Sequence, residues 1–321
     1  MAEIGQDIAK ARKVLESGQL VGIPTETVYG LAGNALNPDA VSLIFETKNR
    51  PAFDPLILHT SSLDRVSEFV SDFPVQLKVL GERFWPGPLT LLLPKKAIVP
   101  DLVTSGLDRV AVRVPNHRLT LDLLKQLDFP LAAPSANPFG YISPTSAAHV
   151  EAQLGQKITY ILDGGDCQVG LESTIVGLEN GQVTIYRLGG LDISEIEKAI
   201  GSVAIKDHSS SNPSAPGQLD SHYAPRKPFL LGDLDSLIAQ QRAMGTEFAV
   251  LSFSSFFEEV DGENQIALSP TGNFHEAAQR LFSTMRRLDE GPASLILAEL
   301  VPDEGLGRAI NDRLRRAAVK G

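Results

Sequence analysis

In the N-terminal part of the chain, apolar residues come in short blocks with two different periods. Ile4, Ile8, Ala11 and Leu15 recur at helical spacing and predict a first helix that Gly18 stops. The run from Leu20 to Pro24 then predicts a short buried strand, and PTETVYGLAGNAL after it a loop. Asn37 and Pro38 form a cap and first-turn pair for a helix through Val41, Ile44 and Phe45, which Pro51 ends just past Lys48-Asn49-Arg50. The two cations therefore sit at a helix exit. If that end is exposed, Lys48 can be removed at little cost in stability. PLILH, PLTLLLP, RVAVRVP, PLAAP, TYILD, STIVG and VTIYR predict further strands, and helical patterns lie around residues 62–70, 74–83, 117–126 and 146–154. Strands with interleaved helices predict an α/β domain, too irregular for a simple doubly wound sheet.

Between about residues 207 and 225 the apolar period disappears into a Ser-, Pro- and Gly-rich linker. Beyond it come FLLGD, a helix near 235–243, FAVLSF, a helix opened by Asn273 with Glu276 at the capping-box spacing, SLILAEL and a last helix from about Gly307. This alternation predicts a small parallel-sheet domain.

Composition narrows the function. The 321 residues carry 29 basic and 39 acidic side chains, net −10, with half of the excess in each part of the chain. That balance argues against a nucleic-acid coat or a general polyanion binder. The cations at the C-terminus, Arg313, Arg315, Arg316 and Lys320, read as a helix end complementing its own dipole. A single cysteine, Cys167, excludes an internal disulfide framework and any CxxC zinc site, and fits a reducing, cytoplasmic setting. No signal peptide is readable, and no apolar run approaches the roughly 18 residues of a membrane span.

The P-loop, GxGxxG, HExxH and GxSxG signatures are all missing, and the six histidines lack ligand spacing, so no metal-binding set of side chains is expected. What remains is a series of loops rich in hydroxyl, amide and cationic groups: Thr25, Lys48, Arg50, Arg109, Arg113, Ser135, Asn137, Ser143, Ser173 and Arg187. Their chemistry is phosphate and carboxylate recognition. Alternation in VAVRV puts Arg113 on the face opposite Val112 and Val114, where a strand arginine facing a pocket calls for an anion.

In order along the chain, PTETVYGLAGNAL, KNRP followed by DPLILH, WPGPLTLLL, GLDRVAVRVP, APSANPFGYISPT, DGG with GLESTIV, and SAPGQLDSHYAP resemble threonylcarbamoyl-AMP synthases with a YrdC-like catalytic domain. The terminal GRAINDRLRRAA extends the likeness to the longer, two-domain type. The resemblance implies a YrdC-like twisted mixed sheet with helices and a concave active site over residues 1–206. It implies a linker and active-site lid over 207–227, and a small Rossmann-like α/β domain over 228–321. The implied reaction makes threonylcarbamoyl-AMP from L-threonine, bicarbonate and ATP with release of pyrophosphate, for threonylcarbamoyladenosine modification of tRNA.

Carried over by position, Thr25, His59, Arg113 and Ser173 match the threonine pocket. Lys48, Arg50, Asp54, Arg109, Ser135, Asn137, Ser143, Arg187, His222 and Tyr223 match the ATP side. Lys48, Arg50, Ser135 and Asn137 are expected to act on the α-phosphate, with His222 and Tyr223 in the lid. Asp54 stands where the family often has Asn, and Arg109 where smaller residues are common. Mg²⁺ is expected with ATP, no organic cofactor, and hand-off of the product to a tRNA threonylcarbamoyl transferase complex without strong tRNA binding by this chain. Two other readings are weaker. A double-stranded-RNA-binding or ribosome-maturation module conflicts with the acidic charge, and a carbamoyl-transfer maturation enzyme needs zinc fingers that one cysteine cannot build.

Overall fold

The computed structural model describes residues 1–206, 213, 215–219 and 222–319. They divide into two units: Met1–Phe139, Ser143–Gln168 and Glu172–Leu219 form the first, and Gly140–Ile142, Val169–Leu171 and the chain from Asp220 form the second. The first unit runs β1 (Glu3–Gly5), α1 (Ile8–Glu16), β2 (Val21–Ile23), β3 (Gly30–Asn34), α2 (Pro38–Lys48), β4 (Ile57–His59), α3 (Leu63–Val66), α4 (Val75–Phe84), β5 (Leu89–Pro94) and α5 (Asp101–Thr104). It continues with β6 (Arg109–Arg113), α6 (Arg118–Leu124), β7 (Leu131–Ala132), α7 (Ala147–Leu154), β8 (Tyr160–Leu162), β9 (Thr174–Glu179), β10 (Gln182–Arg187), α8 (Ile193–Ile200) and β11 (Ala204–Ile205). Its mixed sheet has the order β1-β8-β2-β3-β7-β4-β6-β5-β9-β10-β11.

Strand alternation sorts the side chains between two faces. Leu58, Leu89, Leu91, Leu93, Val110, Val112, Val176 and Ile185 enter the main core together with the buried faces of α2, α4 and α7. Ile57, Leu92, Ala111, Ile175 and Tyr186 form a smaller apolar patch on the opposite face, and Ala215 from the Ser-Pro-Gly segment closes it. His59 and Arg113 alternate onto this second face with Ile57 and Ala111.

Two sequence expectations change here. Ile4 does not start the first helix; it sits in β1, paired with Ile161 of β8. The helix starts at Ile8, capped by Asp7, whose own N–H donates to the Tyr160 hydroxyl at 2.8 Å. A tyrosine 153 positions away thus separates strand from helix. Second, the segment expected as one loop contains β3, antiparallel to β2. Its sequence, GLAGN, has poor strand propensity. The small residues are required by packing, because a Cβ on Gly33 would lie 2.8 Å from Leu20 Cδ2. Helices α5 and α8 also escape the sequence reading.

The second unit has β12 (Phe229–Leu231), α9 (Leu234–Met244), β13 (Phe248–Ser252), β14 (Gln265–Ala267), α10 (Phe274–Glu290), β15 (Leu295–Ala298) and α11 (Gly307–Ala318). Its four strands are all parallel, in the order β12-β15-β13-β14. The parallel sheet is as expected, although β14 is an unforeseen member. Asn273 caps α10 by accepting from His275 N and Glu276 N, but Glu276 does not close the box. Its carboxylate instead accepts a hydrogen bond from the Ser269 hydroxyl, and Ser269 Oγ accepts from Asn273 N at 2.8 Å.

At the basic end of α11, Arg315 is exposed as the sequence suggests, but two of its neighbours are not solvated. Arg313 is fully buried and Arg316 almost so; both pair with Asp312, and their guanidinium carbons lie 4.9 and 4.8 Å from the centre of the Tyr223 ring. Lys320 lies outside the described residues.

Candidate active site

The turn after β2 is shaped by Thr25, whose hydroxyl accepts from Thr27 N and Val28 N and donates to Val28 O. Its single proton is thereby used, so the 2.8 Å contact between Thr25 and Thr27 is a donation by Thr27. Arg113 Nη1 in turn donates to Thr27 Oγ1 at 2.9 Å. The remaining edges of this buried guanidinium meet Gly87 O through Nε and Glu26 Oε1 at 2.7 Å through Nη2. Arg113 does face away from Val112, as alternation requires, and the anion it finds inside the protein is Glu26. That carboxylate, which also accepts from Asn116 N, was not among the candidates. The only clue in the sequence is an acid between two threonines.

His59 stands beside Arg113 in parallel register on β4 and β6. Burial and the neighbouring Arg113 push its pKa down to about 3, while its Nδ1 donates to Ile57 O. The imidazole is thus neutral at physiological pH. Because the unfolded chain binds this proton near pH 6.5 and the folded chain only near 3, stability falls as pH drops through that window. The slope is at most about 1.4 kcal/mol per pH unit for one proton. We expect His59→Gln to flatten the stability profile between pH 6.5 and 4 in urea unfolding; an unchanged slope would contradict this assignment.

Next on the same face, Ser173 and Thr90 share a 2.7 Å hydroxyl contact. Arg187 Nη2 donates to both Ser173 O and Ser173 Oγ, and Arg187 Nη1 reaches Pro216 O at 3.5 Å. Arg187, expected on the ATP side, is therefore tied to a residue expected on the threonine side.

The second group forms around the end of α2. Lys48 is 1% exposed, not the open helix end of the sequence reading. Its ammonium donates to Ser135 O and Asn137 O, while its own carbonyl accepts from Phe139 N at 2.8 Å. One lysine thus holds the 135–139 loop from both ends of its own residue. Burial, followed by the nearby Arg50 charge, lowers its pKa well below the usual lysine value. Asn49 takes a left-handed conformation, φ 53°, that ends the helix and turns Arg50 back inward. Arg50 pairs with the fully buried Asp54 at 2.8 Å and donates to Asp54 O and Pro55 O. Asp54 also receives the Gly217 N–H at 3.5 Å, so its carboxylate is held by protein groups.

Ser143 is buried and donates to Glu172 Oε1 at 2.5 Å, which joins the 135–145 loop to the loop carrying Ser173. Glu172 is the second acid that escaped the candidate set. Arg109 lies at the opposite end of β6 from Arg113 and engages Leu178 O and the Tyr186 hydroxyl. His222 and Tyr223 belong to the second unit, Tyr223 with φ 65° and its ring stacked on Phe282 at 5.4 Å. From the same connecting segment, Ala215–Leu219 belong to the first unit, where the Gln218 amide donates to Tyr186 O.

A sequence family described as "Telomere recombination" matches residues 13–189, and one described as "Threonylcarbamoyl-AMP synthase, C-terminal domain" matches residues 191–319. A Pyrococcus abyssi protein named threonylcarbamoyl-AMP synthase is 41% identical over 317 residues, covering 95% of this chain and 92% of its own. The chain belongs to the threonylcarbamoyl-AMP synthase family. A Bacillus subtilis protein of the same name is 38% identical over 97% of this chain and 92% of its own length.

The family fold extends through both units. The crystal structure of Pyrococcus abyssi Sua5 complexed with L-threonine matches with a TM-score of 0.93 at 38% identity, covering 99% of this chain and 97% of that one. Escherichia coli YciO, at 20% identity and a TM-score of 0.53, shares the fold alone over 59% of this chain. Among the described residues no helix is long and apolar enough to cross a membrane.

Proposed function

We propose that this chain makes threonylcarbamoyl-AMP. The amino nitrogen of L-threonine forms a C–N bond to bicarbonate carbon with loss of water. An oxygen of the resulting carbamate then attacks the α-phosphorus of ATP, and the bond to the β-phosphate breaks to release pyrophosphate. One observation carries the reading. The first unit of a net-acidic protein buries four cationic side chains, Lys48, Arg50, Arg113 and Arg187, against three buried carboxylates, Glu26, Asp54 and Glu172. A bound anion relieves that imbalance, and an anion beside Lys48 favours its charged form.

In this reading Arg113 takes the threonine carboxylate, with Thr25, Ser173 and neutral His59 around the amino acid. Lys48 and Arg50 stabilise charge at the α-phosphate; Ser135, Asn137 and Ser143 orient the nucleotide, and Arg187 joins the two sides. Such phosphoryl transfer needs position and charge more than a protein nucleophile. Mg²⁺ accompanies the triphosphate of ATP and offsets part of its charge. The Ala215–Leu219 stretch, whose Ala215 packs into the apolar patch of the site face, keeps water from the mixed anhydride. The product passes to a tRNA threonylcarbamoyl transferase complex, and the work is done in the cytoplasm.

Pyrophosphate release should require ATP, L-threonine and bicarbonate together. Release that is undiminished when threonine is omitted would overturn the reading.

A further inference from the structure

The two loops that meet at Ser143 and Glu172 each pass through the second unit on the way. Gly140–Ile142 lie between Asn137 and Ser143, and Val169–Leu171 immediately precede Glu172; both stretches belong to the second unit. Within that unit they are held by one stripe of α10. Tyr141, 9% exposed, donates its hydroxyl proton to Asp289 Oδ2 at 2.6 Å, and its ring lies under the guanidinium groups of Arg286 and Arg226, at 5.0 and 5.2 Å. Arg286 also donates to Ile142 O. Four residues before Arg286, Phe282 stacks on Tyr223. One turn further back, Gly170 lies so close to α10 that a Cβ would come within 2.4 Å of Gln279 Cα and 2.5 Å of Ala278 O. Gly170 also has φ +75°. Positions 279, 282, 286 and 289 recur at helical spacing on one side of the helix.

These contacts are specific. Asp289 uses both oxygens, one for Tyr141 and the other for Lys227 N at 3.0 Å. Gly140 O accepts from Ala224 N at 2.9 Å, so the stretch is fixed through backbone as well as side chain. A surface loop needs none of this. A loop that must present Ser143 and the carbonyls gripped by Lys48 at fixed positions does.

We infer that α10 is a positioning element for the nucleotide side of the reaction, acting through Tyr141 and Asp289 on the loop that carries Ser135, Asn137 and Ser143. The inference rests on the proposed assignment of that loop to ATP, and it gives the second unit a part in the chemistry. Tyr141 and Asp289 touch no substrate; they act by fixing residues that do.

The test uses the full chain, with KM for ATP and KM for L-threonine measured separately from pyrophosphate release. Tyr141→Phe removes only the hydroxyl, and Asp289→Ala removes its acceptor. Each should raise KM for ATP about 10-fold, the order expected for loss of a hydrogen bond to a charged group, and leave KM for threonine within about 2-fold. The double variant should be no worse than the more damaging single, because both remove the same link. Asp233→Ala, which deletes the N-cap of α9, is the control for general destabilisation of this unit; it should lower the melting temperature and leave both KM values in place. Unchanged KM for ATP in Tyr141→Phe, multiplied effects in the double variant, or an equal rise in Asp233→Ala would each overturn the positioning role. Wild-type protein without threonine-dependent release would instead overturn the reaction on which it rests.

Discussion

Lys48→Ala should abolish threonine-dependent pyrophosphate release and should also destabilise the protein. The activity loss is expected at about 10³-fold, the upper range for removing one preorganised donor at a developing charge. The stability loss follows from the same contacts. Without the ammonium, Ser135 O keeps the Asn137 N–H while Asn137 O loses its Lys48 donor in a buried setting, at about 1–3 kcal/mol for a group left unsatisfied. Lys48→Met separates the two effects. It refills much of the volume and keeps the helix propensity, so the melting temperature should partly recover while release stays absent. Lys48→Met retaining activity within about 10-fold of wild type would remove Lys48 from the chemistry and leave it as a strut for the loop.

Arg113 should give the second large effect, and here the decisive comparison is between a single and a double variant. Arg113→Gln leaves the Glu26 carboxylate buried without its guanidinium, a cost of about 3–5 kcal/mol for breaking such a pair from one side. Adding Glu26→Gln removes the stranded charge, so the double variant should regain most of the lost stability in denaturant unfolding. KM for L-threonine should not recover. It should remain raised about 100-fold in both variants, because neither can present a guanidinium fork to a carboxylate. If the double variant regained both stability and normal KM, Arg113 would serve the fold alone.

Much of this was legible in the chain because the signal was local. Alternation in β6 placed Arg113 on the site face, and the cap and proline signals around α2 placed Lys48 at its end. What remained illegible depended on partners far along the chain. Whether Lys48 is solvated or buried is decided by a loop 87 to 89 residues later. The anion beside Arg113 is Glu26, brought to it by the folding of β2 and β6 into one sheet. The strand GLAGN reads as a loop because its residues were chosen for close approach to Leu20 and Ala133 and not for strand propensity. Arg313 and Arg316 read as surface charge until Tyr223 is found between them and Phe282.

The way Ala215–Leu219 are built into the first unit bears on how the protein can be dissected. The composition of this stretch invites a cut ahead of it, at the end of β11. A fragment ending there would take Ala215 away from Ile57, Ala111, Ile175 and Tyr186, Pro216 O from Arg187 and the Gly217 N–H from Asp54. The Gln218 side chain, fully shielded from solvent, also makes the bonds around it poor protease sites in the folded chain. An expression fragment meant to keep this face of the first unit covered has to run at least through Leu219, carrying with it a stretch that composition alone would assign to the tether.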